Sequence, residues 1–570
     1  MHSSTRRFGV SLVLALLAAL ALASCGGGPD IAPGSTLVLT LEGAYADGQE
    51  APLLARFFGG GERSLLTLYS GLRKAELDTR IERVVVRVRG LGIGWAKAQE
   101  IREALERLDK AGKETVAVIE TEGFGAGGYY VASAAQRVVA TPAARSPLLG
   151  LAAEQLFFAG LFEKLGVMVE FERAGDFKSA VEPFTASKMS DASREMTNAL
   201  LDSTQAAFVA DVAAARELTE ARVRELVDEA PSSAEEMLAA KLIDEIAYYE
   251  AVVKDESVVK EEDYAAVELD SLGIEPAATI ALIHGVGMVV TGSGDMSVTG
   301  DRVMAADTFV DAVHEAVEDD SVKALLVRID SPGGSPLASD LMWRALRDAR
   351  EAGKPVIVSL SDVAASGGYY VACAADKIIS QPTTLTGSIG VFVLRPSLGG
   401  LLEKLGITVE TMQRGARADL LFGSQPLSAG ARDLLKKDVE GVYEQFVARV
   451  AEGRGMEPDA VKKIGGGRVW TGAQAKEIGL VDELGGLYEA GLAAKAAIGI
   501  AADALVVLKP FPAQKTIAEQ VTQLLRGARA QSASPLEQVL PRELRMLHTL
   551  ATQLPAGAPL LLPPSLVVLH

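Results

Sequence analysis

The chain is predicted to be an α/β protein built from two tandem β/α repeats, and two sequence matches and one pattern carry this prediction. Gly-Gly-Tyr-Tyr-Val-Ala occurs at residues 127–132 and again at 367–372, a displacement of 240 residues from Gly127 to Gly367. Glu-Lys-Leu-Gly at residues 163–166 recurs at 403–406 with the same displacement. In both copies, short apolar runs alternate with helical patterns, which is typical of parallel sheet with crossover helices.

Three apolar strands are predicted in each copy, at residues 37–41, 84–88 and 116–119 and at residues 280–283, 324–329 and 356–360. A helix should follow Pro336 and end before Gly353, since proline suits the first turn of a helix and glycine the position past its end. Helical spacing predicts that its inward face contains Leu337, Leu341, Ala345 and Ala349.

These matches divide the chain into four parts. We expect an export signal over residues 1–25, a first repeat over 26–255, a second repeat over 278–504, and a tail of unknown role over 505–570 that matches neither copy. The tail contains one candidate amphipathic helix, near residues 517–525.

Composition favours a folded protein and argues against nucleic acid as a partner. Of the 570 residues, 49% are hydrophobic and 23% charged, as in globular proteins. The formal net charge of −19 would repel phosphate backbones. The two cysteines are Cys25 and Cys373, so lipidation of Cys25 would exclude an intrachain disulfide.

The first 25 residues have the pattern of a bacterial lipoprotein signal peptide. Arg6 and Arg7 precede an apolar run over residues 12–23, which is short for a membrane span. The run ends in Leu-Ala-Ser-Cys at residues 22–25, which resembles the lipobox, so Cys25 is expected to carry the acyl chains. A plain signal peptide or an uncleaved helical anchor are the alternatives.

A candidate nucleophile lies on a turn after the third strand of the second copy. Ser366 is flanked by Ala365 and Gly367, so its hydroxyl could be presented without steric cover. Asp-Ser-Pro-Gly-Gly-Ser at residues 330–335 directly follows the second predicted strand of this copy, and the backbone N–H groups of this turn could bind an anion. Either feature alone is also consistent with an ordinary tight turn.

The base that would activate this serine is expected to be a lysine. The chain has five histidines: His2 lies in the signal, and His548 and His570 in the tail, while His284 and His314 fit structural or surface positions. A buried lysine with a lowered pKa can replace histidine. Lys178 is the candidate because it has apolar neighbours, although Asp176 or Glu182 would oppose the shift, and a solvated surface lysine is the alternative.

The duplication favours Lys178 and Ser366 as partners. The position equivalent to Ser366 in the first copy is Ala126, and the position equivalent to Lys178 in the second copy is Ala418. Each copy therefore lacks one partner, and a working dyad would be assembled from both repeats.

Together with Thr-Gly-Ser-Ile-Gly-Val at residues 386–391, these segments resemble the long, two-repeat form of the signal peptide peptidase A (protease IV) family, of the ClpP/crotonase superfamily. The resemblance implies two crotonase-like repeats, Lys178 as general base, Ser366 as acylating nucleophile and Ser388 as a hydroxyl that orients the amine. It implies oxyanion N–H donors at Gly333, Gly334 and Gly367. It also implies a homo-oligomer, expected to be a tetramer.

The function predicted in this way is hydrolysis of hydrophobic peptides, such as cleaved signal peptides, by a membrane-associated serine endopeptidase that uses no metal or other cofactor. The expected location is the bacterial cell envelope, facing the periplasm, with the lipidated N-terminus in the membrane. Two alternatives are a crotonase-type acyl-CoA enzyme and a non-catalytic envelope scaffold.

Overall fold

The structure is a computed structural model that describes residues 31–48, 63–123, 125–254, 256–296 and 301–513, and the backbone of residues 568–569. Cys25 and the predicted tail helix near residues 517–525 lie outside the described residues.

The first repeat contains a six-stranded parallel sheet with the order β10-β1-β4-β5-β6-β9. The strands of this half of the chain are β1 Ser35–Gly43, β2 Tyr45–Ala46, β3 Arg63–Ser64, β4 Ile81–Leu91, β5 Glu114–Ile119, β6 Arg137–Ala140, β7 Ala153–Glu154, β8 Met168–Ala174, β9 Glu245–Ile246 and β10 Val258–Lys260.

The second repeat contains the same order of six parallel strands, β21-β11-β14-β15-β16-β20, with β17 added beside β15 and β19 antiparallel to β17. The strands of this half of the chain are β11 Ala278–Val286, β12 Met288–Val290, β13 Val303–Ala305, β14 Val322–Ser331, β15 Val356–Ala365, β16 Lys377–Ser380, β17 Leu385–Gly387, β18 Val391–Ser397, β19 Val469–Thr471, β20 Glu483–Leu484, β21 Val506–Phe511 and β22 Val568–Leu569, the last of which pairs with β7 of the first half. The α/β class and the duplication are thus confirmed.

Helices cover the sheets of both repeats. In the first half they are Leu65–Leu77, Trp95–Lys110, Ala126–Ala132, Ala159–Leu165, Glu182–Thr185, Asp191–Ala215, Glu220–Glu229, Ala234–Ala239, Tyr249–Val252 and Glu261–Ala265. In the second half they are Ala306–Glu318, Pro336–Glu351, Gly367–Ala372, Gly399–Lys404, Ala429–Arg454, Pro458–Ile464, Gly472–Glu477 and Leu487–Ala497. The 3-10 helices are Ser179–Val181, Leu269–Leu272 and Ala418–Leu421.

All six predicted strands are present, as β1, β4, β5, β11, β14 and β15. Their centres are continuous apolar runs because helices cover both faces of a parallel sheet, so side chains of both orientations are buried. Val84, Val85 and Val86, which are consecutive in β4, are each at most 1% exposed. Each repeat has its own large apolar core around its sheet.

The predicted helix after Pro336 forms as Pro336–Glu351, with Ser335 as N-cap and Gly353 at a positive φ of 83°. Its predicted inward face is wrong at two positions, since Leu337 is 62% and Leu341 45% exposed. The face that packs inward is rotated by about one position and contains Ala338, Met342, Ala345, Leu346 and Ala349. Packing against the sheet, rather than the spacing of the largest side chains, decided this orientation.

Both sheets extend beyond the predicted limits of the repeats. The edge strand β10 follows residue 255, and its counterpart β21 lies in the predicted tail. The two edge strands occupy equivalent places, beside β1 and β11, but they are 248 residues apart, from Val258 to Val506. A match at a displacement of 240 residues therefore misses them.

One antiparallel strand pair joins the repeats and positions the site. Strand β8 of the first repeat pairs with β18 of the second over seven residues, from Met168 opposite Ser397 to Ala174 opposite Val391. Across this pair, the buried Arg395 Nη1 lies 2.8 Å from Glu170 Oε2. The segment that follows β8 is thereby held against the second repeat.

Candidate active site

Ser366 lies on a strained turn between β15 and the helix Gly367–Ala372, with φ 55° and ψ −115°. Its N–H donates to Gly387 O at 2.8 Å, and its carbonyl accepts the N–H of Tyr370 at 2.8 Å. A non-glycine residue with positive φ is held there by its surroundings, and this geometry is found where a nucleophile is presented on a strand-to-helix turn. The residue is fully buried in the protein.

Lys178 reaches this serine from the first repeat of the same chain. It follows β8 and a turn in which its N–H donates to Gly175 O at 3.2 Å, and it directly precedes the 3-10 helix Ser179–Val181. The Lys178 Nζ lies 2.8 Å from Ser366 Oγ, although 188 residues separate the two in sequence. The structure thus brings together the two predicted partners within one chain.

Burial lowers the pKa of Lys178 well below its usual value, because a charged amine is poorly solvated in this position. The side chain is fully buried. The carboxylate of Glu182, which could have opposed this shift, instead faces Arg173 at 3.5 Å and accepts the N–H of Ser190 at 3.1 Å. A lysine in this environment can be neutral, and a neutral amine can accept a proton.

Ser388 completes the surroundings of the amine. The Lys178 Nζ lies 2.9 Å from both the hydroxyl and the carbonyl oxygen of Ser388. Ser388 has a positive φ of 53°, and its N–H donates to Arg468 O at 2.7 Å. With Ser366, these oxygens fix the position of the amine from two sides.

A glycine loop, residues 465–467, packs against the Lys178 segment and was not singled out from the sequence. The N–H of Phe177 donates to Gly466 O at 2.9 Å. At Gly467, which has a positive φ of 84°, a Cβ would stand 2.5 Å from Lys178 N and 2.6 Å from Lys178 Cα. The three consecutive glycines were the available signal, but their partner is nearly 300 residues earlier in the chain.

The three predicted oxyanion glycines lie together beside Ser366, with Gly333 Cα 3.1 Å from the position of a Cβ built on Gly367. Gly334 N stands 3.0 Å from the position of a Cβ built on Gly367, which would also lie 2.7 Å from Ser339 Oγ. Gly367 is the first residue of its helix, so its N–H has no intrahelical acceptor. The N–H of Gly333 instead donates to Ser331 Oγ at 3.1 Å, so this group is already engaged.

The equivalent positions of the other copy do not reproduce this arrangement. Ala126 is the first residue of the helix Ala126–Ala132, and the residue before it, Gly125, has an ordinary φ of −85°. Ala418 begins a short 3-10 helix. Of the two histidines in the repeats, His314 is exposed, and burial lowers the pKa of His284, in β11, to about 4.

Several known proteins are similar to this chain. Peptidase family S49 matches the chain twice, over residues 107–261 and 348–501. Serine protease SPPA, chloroplastic, of Arabidopsis thaliana is 36% identical over 80% of this chain and 68% of its own length. Protease 4 of Salmonella typhi is 32% identical over 75% of this chain and 71% of its own length. A ClpP1 point mutant of Listeria monocytogenes matches 36% of this chain and 91% of its own, with 16% identity and a TM-score of 0.24.

The repeated α/β fold, a serine on a strained turn, and the matches to Peptidase family S49 and to the Arabidopsis and Salmonella proteases define a serine peptidase. More narrowly, the chain belongs to Peptidase family S49, with the family domain present in both repeats.

Proposed function

We propose that this peptidase is a membrane-associated endopeptidase that cleaves hydrophobic peptides, such as cleaved signal peptides, with Ser366 as nucleophile and Lys178 as general base. The observation that carries the proposal is the 2.8 Å contact between a buried lysine amine and the hydroxyl of a serine on a strained turn. Hydrogen-bond reach between nucleophile and base is the geometry that such a mechanism requires.

In this mechanism the neutral Lys178 amine takes the proton of Ser366 Oγ while the oxygen attacks the scissile carbonyl carbon. The negative charge that develops on the carbonyl oxygen is stabilised by the N–H groups of Gly334 and Gly367. Lys178 then gives its proton to the leaving amine, and an acyl-serine remains. Water activated by the same lysine hydrolyses this ester and restores the free enzyme.

Ser388 has a positioning role in this proposal. Its hydroxyl and carbonyl oxygens, each 2.9 Å from the Lys178 Nζ, keep the amine directed at Ser366 in both catalytic steps. They are uncharged, so they accept hydrogen bonds from the amine without raising its pKa as strongly as a carboxylate would.

A preference for hydrophobic peptides is supported by apolar side chains on the segments that join the repeats. The helices Ala159–Leu165 and Gly399–Lys404 flank the β8–β18 pair, and Gly166 packs against Gly400 so closely that a Cβ at Gly166 would stand 2.7 Å from its carbonyl carbon. Exposed apolar side chains on these segments are Leu156, Leu161, Leu165, Met168, Phe171, Leu398, Leu405, Ile407, Val409, Met412 and Leu421. Exposed apolar surface of this kind marks sites that bind other molecules.

Membrane attachment is proposed to occur through acylation of Cys25, after export across the inner membrane of a bacterium. The lipobox pattern supports this anchor. No helix in the described part of the chain has both the length and the hydropathy needed to cross a membrane. We further propose that the peptidase forms a homotetramer in the cell envelope, facing the periplasm, as its resemblance to signal peptide peptidase A implies.

The dyad is tested by comparing purified full-length protein with its Ser366→Ala and Lys178→Ala variants on an internally quenched hydrophobic peptide. Both variants should lose nearly all activity, because one lacks the nucleophile and the other lacks the base; losses of about 10⁴-fold or more are typical of such residues. Ser193→Ala is a matched control, since Ser193 is also fully buried and its hydroxyl has no hydrogen-bond partner among the described residues. Full activity in a folded Lys178→Ala variant would contradict the base assignment, and full activity in Ser366→Ala would contradict the nucleophile.

A further inference from the structure

A buried group of charged side chains lies where the first repeat meets the second, apart from the dyad. Lys97, in the first turn of the helix Trp95–Lys110, belongs to the first repeat and is 6% exposed. Its Nζ lies 2.7 Å from Asp330 Oδ2, 3.3 Å from Asp362 Oδ2 and 3.6 Å from Asp47 Oδ2. Two of these three carboxylates belong to the second repeat.

Both carboxylates of the second repeat directly precede the turns of the active site. Asp330 is the second-last residue of β14 and is followed by the turn that carries Gly334. Asp362 lies in β15, four residues before Ser366. Lys97 therefore contacts the start of both turns at the same time: the turn that carries Gly334, called the oxyanion turn, and the turn that carries Ser366, called the nucleophile turn.

The pairing of β14 with β15 is irregular at this point. Ile329 lies opposite Leu360 and Ser331 opposite Ala364, so β15 has three residues where β14 has only Asp330. Such a bulge re-aims the strand that follows it. The Asp330 Oδ1 accepts the N–H of Val363 at 3.2 Å, and its carboxylate thus closes the bulge that directs β15 toward Ser366.

The same contacts continue into the oxyanion turn. The hydroxyl of Ser331, the residue after Asp330, donates to Gly287 O at 2.6 Å and accepts the N–H of Gly333 at 3.1 Å. The conformation of Gly333 and Gly334 therefore depends on where β14 ends, and that end is held by the ion pair of Asp330 with Lys97.

Lys97 also binds Asp362 through its backbone. Its N–H donates to Asp362 Oδ1 at 3.1 Å, so this carboxylate caps the N-terminus of the helix Trp95–Lys110. At Gly94, the residue before this helix, a Cβ would stand 2.2 Å from Asp362 Cγ. Only glycine leaves room for the carboxylate, and the first repeat is thus locked onto β15 at this point.

The electrostatics of the group require a cation at this position. Burial lowers the pKa of Lys97, but the charges of Asp330, Asp362 and Asp47 outweigh burial and raise it well above its usual value. Without the ammonium group, Asp330 and Asp362 would face each other without compensation, and like charges in a buried site repel strongly. The carboxylates would then move apart, and the two turns would move with them.

We propose that Lys97 is a positioning residue of the peptidase, which holds the oxyanion turn and the nucleophile turn at their working separation by pairing with Asp330 and Asp362. This inference rests on the proposed role of Ser366. The first repeat then contributes to the active site in two ways. It supplies the Lys178 amine, and through Lys97 it fixes the two turns of the second repeat against which that amine lies.

The test compares Lys97→Met with Lys113→Met in the full-length protein. Lys113 is a similarly buried lysine of the first repeat, whose amine donates to the carbonyl oxygens of Asp78 and Ile81 at 2.7 Å each. Lys97→Met should lower kcat by about 10- to 100-fold, as misplacement of catalytic groups by about 1 Å does, with KM changed by less than about threefold. Lys113→Met should lose stability to urea but keep its kcat. Lys97→Arg, which keeps the cation, should recover part of the kcat.

If Lys97→Met does not fold, Asp362→Asn removes the ion pair from the opposite side while it keeps the shape of the side chain, and the same selective loss of kcat is expected. A folded Lys97→Met or Asp362→Asn variant with the kcat of the wild type would overturn the inference, and so would an equal kcat loss in Lys113→Met. The activity of the wild type and its loss in Ser366→Ala are measured first. If the activity of the wild type does not depend on Ser366, the proposed function fails together with this inference. If the activity depends on Ser366 but the kcat is unchanged in Lys97→Met, only the inference fails.

Discussion

Replacement of Gly467 by alanine should displace Lys178, the proposed general base, without removing any functional group. A Cβ at this position would stand 2.5 Å from Lys178 N and 2.6 Å from Lys178 Cα and Cβ. Ordinary van der Waals contacts begin at 3.4 Å, so the Lys178 backbone or the glycine loop must move by about 0.9 Å. All three contacts are made by backbone atoms or by Cβ, which cannot rotate away as the end of a side chain can.

The size of the effect follows from the geometry of the dyad. If the Lys178 amine moves with its backbone, its 2.8 Å distance to Ser366 Oγ increases to about 3.7 Å, beyond the range of a hydrogen bond. A misplacement of this size lowers the rate by about 100-fold. Since Gly467 has a positive φ of 84°, alanine also adds backbone strain of about 1–2 kcal/mol.

Gly466→Ala separates strain from displacement. Gly466 has a positive φ of 63°, so alanine is strained there as well, but the nearest heavy atom to its Cβ would be Gly175 Cα at 3.9 Å. Both variants should therefore lose stability in urea unfolding, with the larger loss in Gly467→Ala because the clash adds to the strain, while kcat, measured on a quenched hydrophobic peptide, should fall only in Gly467→Ala. The reasoning is refuted if folded Gly467→Ala retains the kcat of the wild type, or if Gly466→Ala loses as much.

Two further predictions concern the amine itself. Ser388→Ala removes the hydroxyl, one of the two Ser388 oxygens that contact the Lys178 Nζ. Because the carbonyl oxygen remains, kcat should fall by only about tenfold, the value of one hydrogen bond. An unchanged kcat in steady-state assays would argue against the positioning role of Ser388. Lys178→Met should be more stable than the wild type near neutral pH, because burial lowers the pKa of Lys178 and the unfolded chain gains the proton that the folded chain excludes. Between the lowered pKa and the ordinary value of 10.5, the stability of the wild type should rise with pH by up to about 1.4 kcal/mol per pH unit. The stability advantage of Lys178→Met should therefore shrink as urea unfolding is repeated toward pH 10. A stability difference that stays constant or widens would mean that the amine is charged in the folded state.

Local sequence patterns predicted the strands and the two candidate segments of the site because these depend on short-range features. Apolar runs such as residues 84–88 form strands where both faces of the sheet are covered, and small residues on both sides of a serine allow a tight turn after a strand. The duplication added long-range information, since it showed that Ser366 and Lys178 lack counterparts at Ala126 and Ala418. That comparison paired two residues that local patterns could not connect.

The inward face of the helix Pro336–Glu351 shows where local patterns are insufficient. Helical spacing places Leu337 on the same face as Ala345, yet Leu337 is 62% exposed and the smaller Ala338 is buried. The rotation of a helix about its axis is set by the surface it packs on, and a difference of one position lies within the width of its apolar stripe. The hydrogen bond of Gly333 could likewise not be predicted from local patterns. Its N–H donates to the hydroxyl of Ser331, and that hydroxyl donates to the carbonyl oxygen of Gly287.

The sequence by itself determined the repeated α/β architecture, and it singled out the serine turn and the lysine that are proposed to act together, because each has a signature in neighbouring residues or in the comparison of the two copies. Only the tertiary structure decided how the repeats meet: the pairing of β8 with β18, the glycine loop against Lys178, and the contact of Lys97 with Asp330 and Asp362. These contacts join residues more than 200 positions apart, and each depends on a fit between two surfaces that neither segment encodes alone. The serine and the lysine are readable in the chain, but the distance between them is a property of the interface between its two halves.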